Sequence, residues 1–129
     1  MQRKLLFASG ALILLVLVII SLTKGKGVQP PQETNIPVSQ EIIVEGTEFK
    51  FSPDKIELEK GKRAKITFQN KGEQPHNLLI PELNIATRTI GPGEEDTVVV
   101  EAKETGSYTF YCGVANHKDL GMEGGVEVK

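Results

Sequence analysis

Apolar side chains fall into two regimes along this chain. From Leu5 to Leu22 they dominate eighteen positions without a charge, LLFASGALILLVLVIISL, whereas from Glu41 onward they come in short bursts separated by turns. A helix of that length would measure about 27 Å, close to the roughly 30 Å hydrocarbon core of a bilayer. Arg3 and Lys4 precede the run, and Lys24 and Lys26 come after it. The first regime therefore predicts a membrane anchor over residues 1–22, an N-terminal transmembrane helix. A secretory signal peptide is the alternative, although small residues spaced for cleavage occur only at Ser21-Leu22-Thr23 and Gly25-Lys26-Gly27. Either device delivers the C-terminal residues to the extracytoplasmic (periplasmic or outer) side, and the basic residues ahead of the run lean toward a cytoplasmic N-terminus.

Residues 23–40, TKGKGVQPPQETNIPVSQ, carry three prolines and two glycines and predict a linker. As a flexible coil it would span roughly 23 Å, enough for a tethered domain to reach partners in the same membrane. In the second regime, strands are expected at Ile42–Val44, Glu48–Phe51 and Lys55–Glu59, broken at Ser52-Pro53-Asp54 and Glu59-Lys60-Gly61. Ala64, Ile66 and Phe68 alternate with Lys65, Thr67 and Gln69, the pattern of a half-buried strand, before a turn at Asn70-Lys71-Gly72. Further strands are expected at Asn77–Ile80, Thr97–Ala102, Ser107–Cys112 and around Val126 and Val128, with Gly91-Pro92-Gly93 as a strong turn. No segment after residue 22 sustains a helical period. Seven or eight short strands over residues 41–129 predict an all-β fold, a β-sandwich of two antiparallel sheets.

Composition refines this picture in three ways. Trp is absent, so Val, Ile, Leu and Phe must supply the core. A single cysteine excludes an internal disulfide. The overall net charge of −2 hides an asymmetry: residues 1–27 hold four basic and no acidic groups, leaving 11 basic against 17 acidic in residues 28–129. A domain of net charge −6 argues against a nucleic-acid partner and permits electrostatic steering toward a basic one, though solubility alone also accounts for it.

Candidate chemistry is concentrated in very few residues. The chain has one Cys, two His and, apart from the initiator, one Met; Cys112, His117 and Met122 succeed one another at intervals of five, and His76 lies 36 positions before Cys112. Taken singly, a Cys ending a strand is ordinarily a small buried hydrophobe, a turn His is ordinarily solvated, and a Met ordinarily fills core. Together, one thiolate, two imidazoles and one thioether are the ligand set of a blue-copper electron-transfer site. Strand alternation places Tyr108, Phe110 and Cys112 on one face, so Cys112 should point inward, and glycines at 113, 121, 124 and 125 permit a tight loop back to it. Asn77, directly after His76, is the candidate to tie the two ligand-bearing segments by a hydrogen bond.

From about Glu41 to Lys129 the chain resembles the cupredoxins, the family of plastocyanin, azurin, auracyanin and rusticyanin. The resemblance is carried by Phe49-x-Phe51-x-Pro53 with Gly61, Asn70-x-Gly72-x-x-x-His76-Asn77, and Gly106-x-Tyr108-x-Phe110-Tyr111-Cys112, then His117, Met122, Gly124 or Gly125, and Val126. It implies a Greek-key sandwich, one copper ion cycling between Cu(I) and Cu(II), His76, Cys112 and His117 as equatorial ligands, and Met122 as axial ligand. It also implies an electron shuttle rather than an enzyme, a monomeric domain serving redox proteins such as cytochromes or respiratory and photosynthetic complexes. One departure is that Lys118 and Asp119 come directly after His117, so the apolar patch around it falls to Pro75, Gly113, Val114, Ala115 and Leu120.

The ligand count bounds the alternatives. A dinuclear electron-transfer copper centre needs two bridging cysteines, and copper nitrite reductases and multicopper oxidases need further histidines; this chain has one Cys and two His. Two rival readings stay open: a copper storage or delivery protein built on the same domain, and a Cys-ligated copper enzyme with an open coordination position.

Overall fold

The computed structural model describes residues 37–129; the expected transmembrane helix and most of the expected linker lie outside the described residues. Among the described residues, no helix is long and apolar enough to cross a membrane. Nine strands form: β1 (Val38–Thr47), β2 (Lys50–Ser52), β3 (Lys55–Leu58), β4 (Arg63–Asn70), β5 (Leu79–Ile80), β6 (Ile85–Ala86), β7 (Glu95–Glu101), β8 (Gly106–Tyr111) and β9 (Glu123–Val128). A 3-10 turn, Pro81–Leu83, separates β5 from β6.

The strands make two sheets, ordered β2-β1-β4-β7 and β3-β9-β8-β5-β6, with the apolar core between them. In β4, Ala64, Ile66, Phe68 and Asn70 are buried while the intervening residues are partly exposed, as the period-two geometry of a strand with one face on the core requires. Phe51 joins the layers: its ring packs edge-on against Phe68 at 5.9 Å and against Phe110 at 5.1 Å. Glycine is needed where these rings crowd the backbone. A Cβ on Gly124 would collide with the Phe110 ring and stand 2.5 Å from the Asp54 carbonyl oxygen, an atom fixed in the main chain.

The all-β sandwich matches the sequence expectation, and four details differ. First, nine strands form among the described residues rather than seven or eight, because β6 adds a two-residue strand at the edge of its sheet, paired with β5. Second, the sheets are not wholly antiparallel: β1 runs parallel to β4, and β3 runs parallel to β9. A parallel pair needs a long crossover, and residues 48–62 supply one by placing β3 in the opposite sheet. Third, Glu48 and Phe49 form a turn between β1 and β2 instead of opening a strand, with Phe49 at φ 61°. Fourth, β1 begins at Val38, inside the segment read as linker, where it pairs with Arg63 at the start of β4.

Candidate metal centre

β8 and the loop after it deliver two of the candidate ligands. Alternation along β8 buries Phe110 and carries on for one step past the strand, so Cys112 also turns inward and is 1 % exposed. Its backbone N–H donates to the Met122 carbonyl at 3.0 Å, closing the loop at its base. Inside the loop, the His117 N–H donates to the Val114 carbonyl and the Met122 N–H donates to the His117 carbonyl, both at 3.0 Å. These bonds wind residues 114–121 into successive turns, with Ala115 at φ 44° and Gly121 at φ 97° making the reversals. His117 and Met122 are thereby brought back to the end of β8, and both side chains are buried.

His76 arrives from the other side. It forms an isolated antiparallel bridge with Ile90, its N–H donating to the Ile90 carbonyl at 3.0 Å and its carbonyl accepting from the Ile90 N–H at 2.9 Å. Asn77 connects this segment to the cysteine. Its Oδ1 accepts the N–H of Gly113 at 2.7 Å, and its Nδ2 donates to Thr89 Oγ1 at 3.1 Å. One amide side chain thus binds the neighbour of His76 to the neighbour of Cys112.

The three ligand atoms form a small buried triangle. His76 Nδ1 and His117 Nδ1 are 3.1 Å apart, Cys112 Sγ is 3.8 Å from the first and 3.6 Å from the second, and all three residues are buried. A triangle with those sides has a centre about 2.0 Å from every corner, within the roughly 2.0–2.3 Å at which a zinc ion, copper's neighbour in size, binds imidazole nitrogen and thiolate sulfur. The cysteine is free. Two imidazoles and a thiolate converging on one point suit a soft or borderline ion, and they fit a single copper. The Phe49 side of the site is closed by an aromatic contact, the Phe49 ring lying edge-on to His117 with centroids 5.0 Å apart.

Two residues at the site escaped the sequence reading. Phe49 sits in what reads as a strand, and its contact with His117 depends on the turn at Glu48 and Phe49. Glu48 is the second: its Oε1 lies 3.5 Å from His76 Nε2, an ion-pair distance whose geometry does not close a hydrogen bond, so the buried Nε2 has no hydrogen-bond partner among the described residues. Only the meeting of residue 48 with the loop before His76 exposes this relation, and nothing in the local pattern signals it.

Burial is the main influence on His76 and holds its pKa below the ordinary 6.5; Glu48 opposes that effect and His117 adds to it. As pH falls below about 6.5, an unfolded imidazole takes up its proton first while the folded one resists, so the metal-free fold has its full stability above that range and loses some below it. The thermal midpoint of metal-free protein should hold steady near neutrality and drop with acidification across the lower part of the roughly pH 5–8 histidine range. A midpoint that rose on acidification would contradict the burial of a neutral His76.

A family model described as a cupredoxin-like domain matches residues 11–123. A chloroplastic plastocyanin of Solanum lycopersicum is 34% identical over 101 residues, covering 68% of this chain; the chain spans 57% of that relative's length. Among solved structures, a dithionite-reduced auracyanin from Roseiflexus castenholzii superposes with a TM-score of 0.65 at 22% identity, over 72% of this chain and 99% of that one. The metal-binding domain of a Cu(I)-exporting P-type ATPase of Streptococcus pneumoniae, solved with Cu(I), gives a TM-score of 0.58 at 27% identity, over 69% of this chain and 84% of that one. The match to the family model spans most of the sequence, and the sandwich and the His-Cys-His triangle agree with it: the chain belongs to the cupredoxin-like domain family.

Proposed function

We propose that this protein is a mononuclear type 1 (blue) copper electron carrier, tethered to a membrane by residues 1–22 and passing single electrons between redox partners on the extracytoplasmic side. The observation that carries the reading is the buried triangle of His76, Cys112 and His117. Bound there, copper would supply one electron by alternating between Cu(II) and Cu(I). The rest of the work belongs to the chain. Asn77, the Cys112–Met122 backbone bond and the turns of the 113–122 loop hold the three donors in place, which limits the rearrangement that accompanies a change of charge. Burial of all three side chains keeps water off the donors. Met122, buried and bonded through its backbone to both Cys112 and His117, would be the fourth residue to hold the ion in this reading.

Docking would use the surface beside His117. Pro75, Gly113, Ala115 and Leu120 are exposed there, Leu120 to 50%. Lys118 lies with its Nζ 4.1 Å over the Tyr111 ring, a cation–π contact that occupies its charge. The acidic domain would favour a basic partner, with cytochromes as the first to try. Addition of Cu(II) should produce an intense visible band, cyclic voltammetry should be reversible, and stopped-flow mixing with cytochromes should show fast exchange. A colourless protein with cupric salt would sink the reading.

A second reading, copper delivery, has its own support in the likeness to the metal-binding domain of a Cu(I) exporter. Copper lost rapidly to an apo-acceptor, together with sluggish electron exchange, would favour it. The axial assignment has a separate check: Met122→Gln should keep the colour and lower the reduction potential, since a hard oxygen donor favours Cu(II) more than a thioether does. A potential unchanged in that variant would remove Met122 from the ligand set.

A further inference from the structure

Glu48 stands on the β1–β2 turn, yet its carboxylate reaches across to the loop that carries His76. Its Oε1 accepts the backbone N–H of Glu73 at 2.6 Å and that of Gln74 at 3.1 Å. Two backbone N–H donors on one oxygen hold the carboxylate in place and favour its charged form. The loop is shaped to receive it. A Cβ on Gly72 would collide with Glu48 Oε1 and stand 2.9 Å from its Cδ, so the path of the carboxylate requires glycine there. Buried Asn70 fixes the same loop: its Oδ1 accepts the Gly72 N–H at 2.9 Å, and its Nδ2 donates to the Gln74 carbonyl at 2.7 Å and to the Ile90 carbonyl at 3.0 Å. Ile90 is also the bridge partner of His76.

This assembly aims an anion at the back of a ligand. His76 is wholly buried, its Nδ1 belongs to the donor triangle, and its Nε2 faces Glu48 at 3.5 Å with no hydrogen-bond partner among the described residues. A neutral imidazole carries one N–H, and a carboxylate can only accept. Only the tautomer with hydrogen on Nε2 can pair with that carboxylate, and it leaves the Nδ1 lone pair free for the site. A small rotation of the carboxylate would bring the pair within the roughly 3.2 Å of a hydrogen bond.

We infer that Glu48 is a positioning residue for His76: its carboxylate, held by the Glu73 and Gln74 amides, fixes the ring with Nε2–H outward and Nδ1 toward the metal, and its charge favours the oxidised ion over the reduced one. The inference rests on the copper reading for its second half; the tautomer half concerns the metal-free protein alone. In the absence of metal, His76 Nδ1 would then accept and His117 Nδ1 would donate across their 3.1 Å contact.

Two variants separate charge from position. Glu48→Gln keeps an oxygen acceptor without the charge, and Glu48→Ala removes both. Histidine ¹⁵N spectra of metal-free protein should show His76 protonated on Nε2 in the wild type and in Glu48→Gln, and a mixture of tautomers in Glu48→Ala. With copper, both variants should have a raised reduction potential, and Glu48→Ala should bind Cu(II) roughly 10–100-fold more weakly, the usual effect of losing a partner behind a metal-bound histidine. Thermal unfolding of each metal-free variant identifies any that is not folded; if Glu48→Ala is not, Glu48→Gln still decides through its potential. An unchanged His76 tautomer in folded Glu48→Ala, or a wild-type potential in Glu48→Gln, would overturn the inference. If the wild type took up no copper, the electron-carrier function would fail, and the tautomer measurement would still decide whether Glu48 positions His76.

Discussion

Cys112→Ser is expected to leave a folded protein that no longer shows an intense visible band with Cu(II). The band requires electron density to move from a thiolate sulfur to the ion, and Cys112 is the chain's single cysteine. A serine oxygen is a harder and weaker donor at the same corner of the triangle, so affinity for Cu(I) should fall by more than the roughly 100-fold that the loss of an outer partner costs. The fold should survive. The substituted position is buried, but a hydroxyl there lies near two imidazole Nδ1 atoms that can bond to it, at 3.6 and 3.8 Å from the present sulfur. Destabilisation should stay at about 1 kcal/mol, the scale of one imperfectly satisfied buried polar group. Absorption spectra and a competition titration against a Cu(I) chelator test both parts. Colour retained in the variant would mean that Cys112 is not a ligand.

Much of this site could be read before any fold was known, and the reason is chemical scarcity. With one Cys and two His in the chain, any soft-metal site had few residues to draw on, and the triangle uses all three. β4 and β8 were legible for a different reason, since each is long enough for alternation to stand out and each has one face on the core. The misread elements share the opposite property. β5 and β6 are two residues each, too short to display a period. At Glu48 and Phe49 the polar-apolar alternation through Phe51 imitates a strand, while the backbone turns over with Phe49 at positive φ, a cost that its packing against the core and His117 offsets. The parallel pairing of β1 with β4 was invisible because alternation is the same for parallel and antiparallel neighbours. The carboxylate of Glu48 was hidden most completely, because its partners come from residues 72–76 and only the folded chain brings them to it.

Core and site meet at Phe110, which makes it the position where a fold mutation should be felt by the metal centre. Phe110→Ala removes a fully buried ring that packs against Phe51 at 5.1 Å and lies on β8 two residues before Cys112, which is also turned inward. Directly opposite the ring on β9 stands Gly124, which has no side chain to move into the void. The loss should therefore fall toward the upper end of the roughly 3–5 kcal/mol typical of Phe-to-Ala changes in cores. In a domain of this size each kcal/mol lowers the thermal midpoint by about 4–8 °C, so the metal-free variant should melt far below the parent. Copper should restore part of that deficit, since a ligand that binds only the folded form stabilises it by mass action. Calorimetry with and without copper reads both effects. A deficit under about 1 kcal/mol would mean that the ring is not clamped between the sheets. A large deficit that copper left untouched would mean that the cavity had pulled Cys112 out of line with His76 and His117, making the alignment of the ligands a direct consequence of how the core packs beneath them.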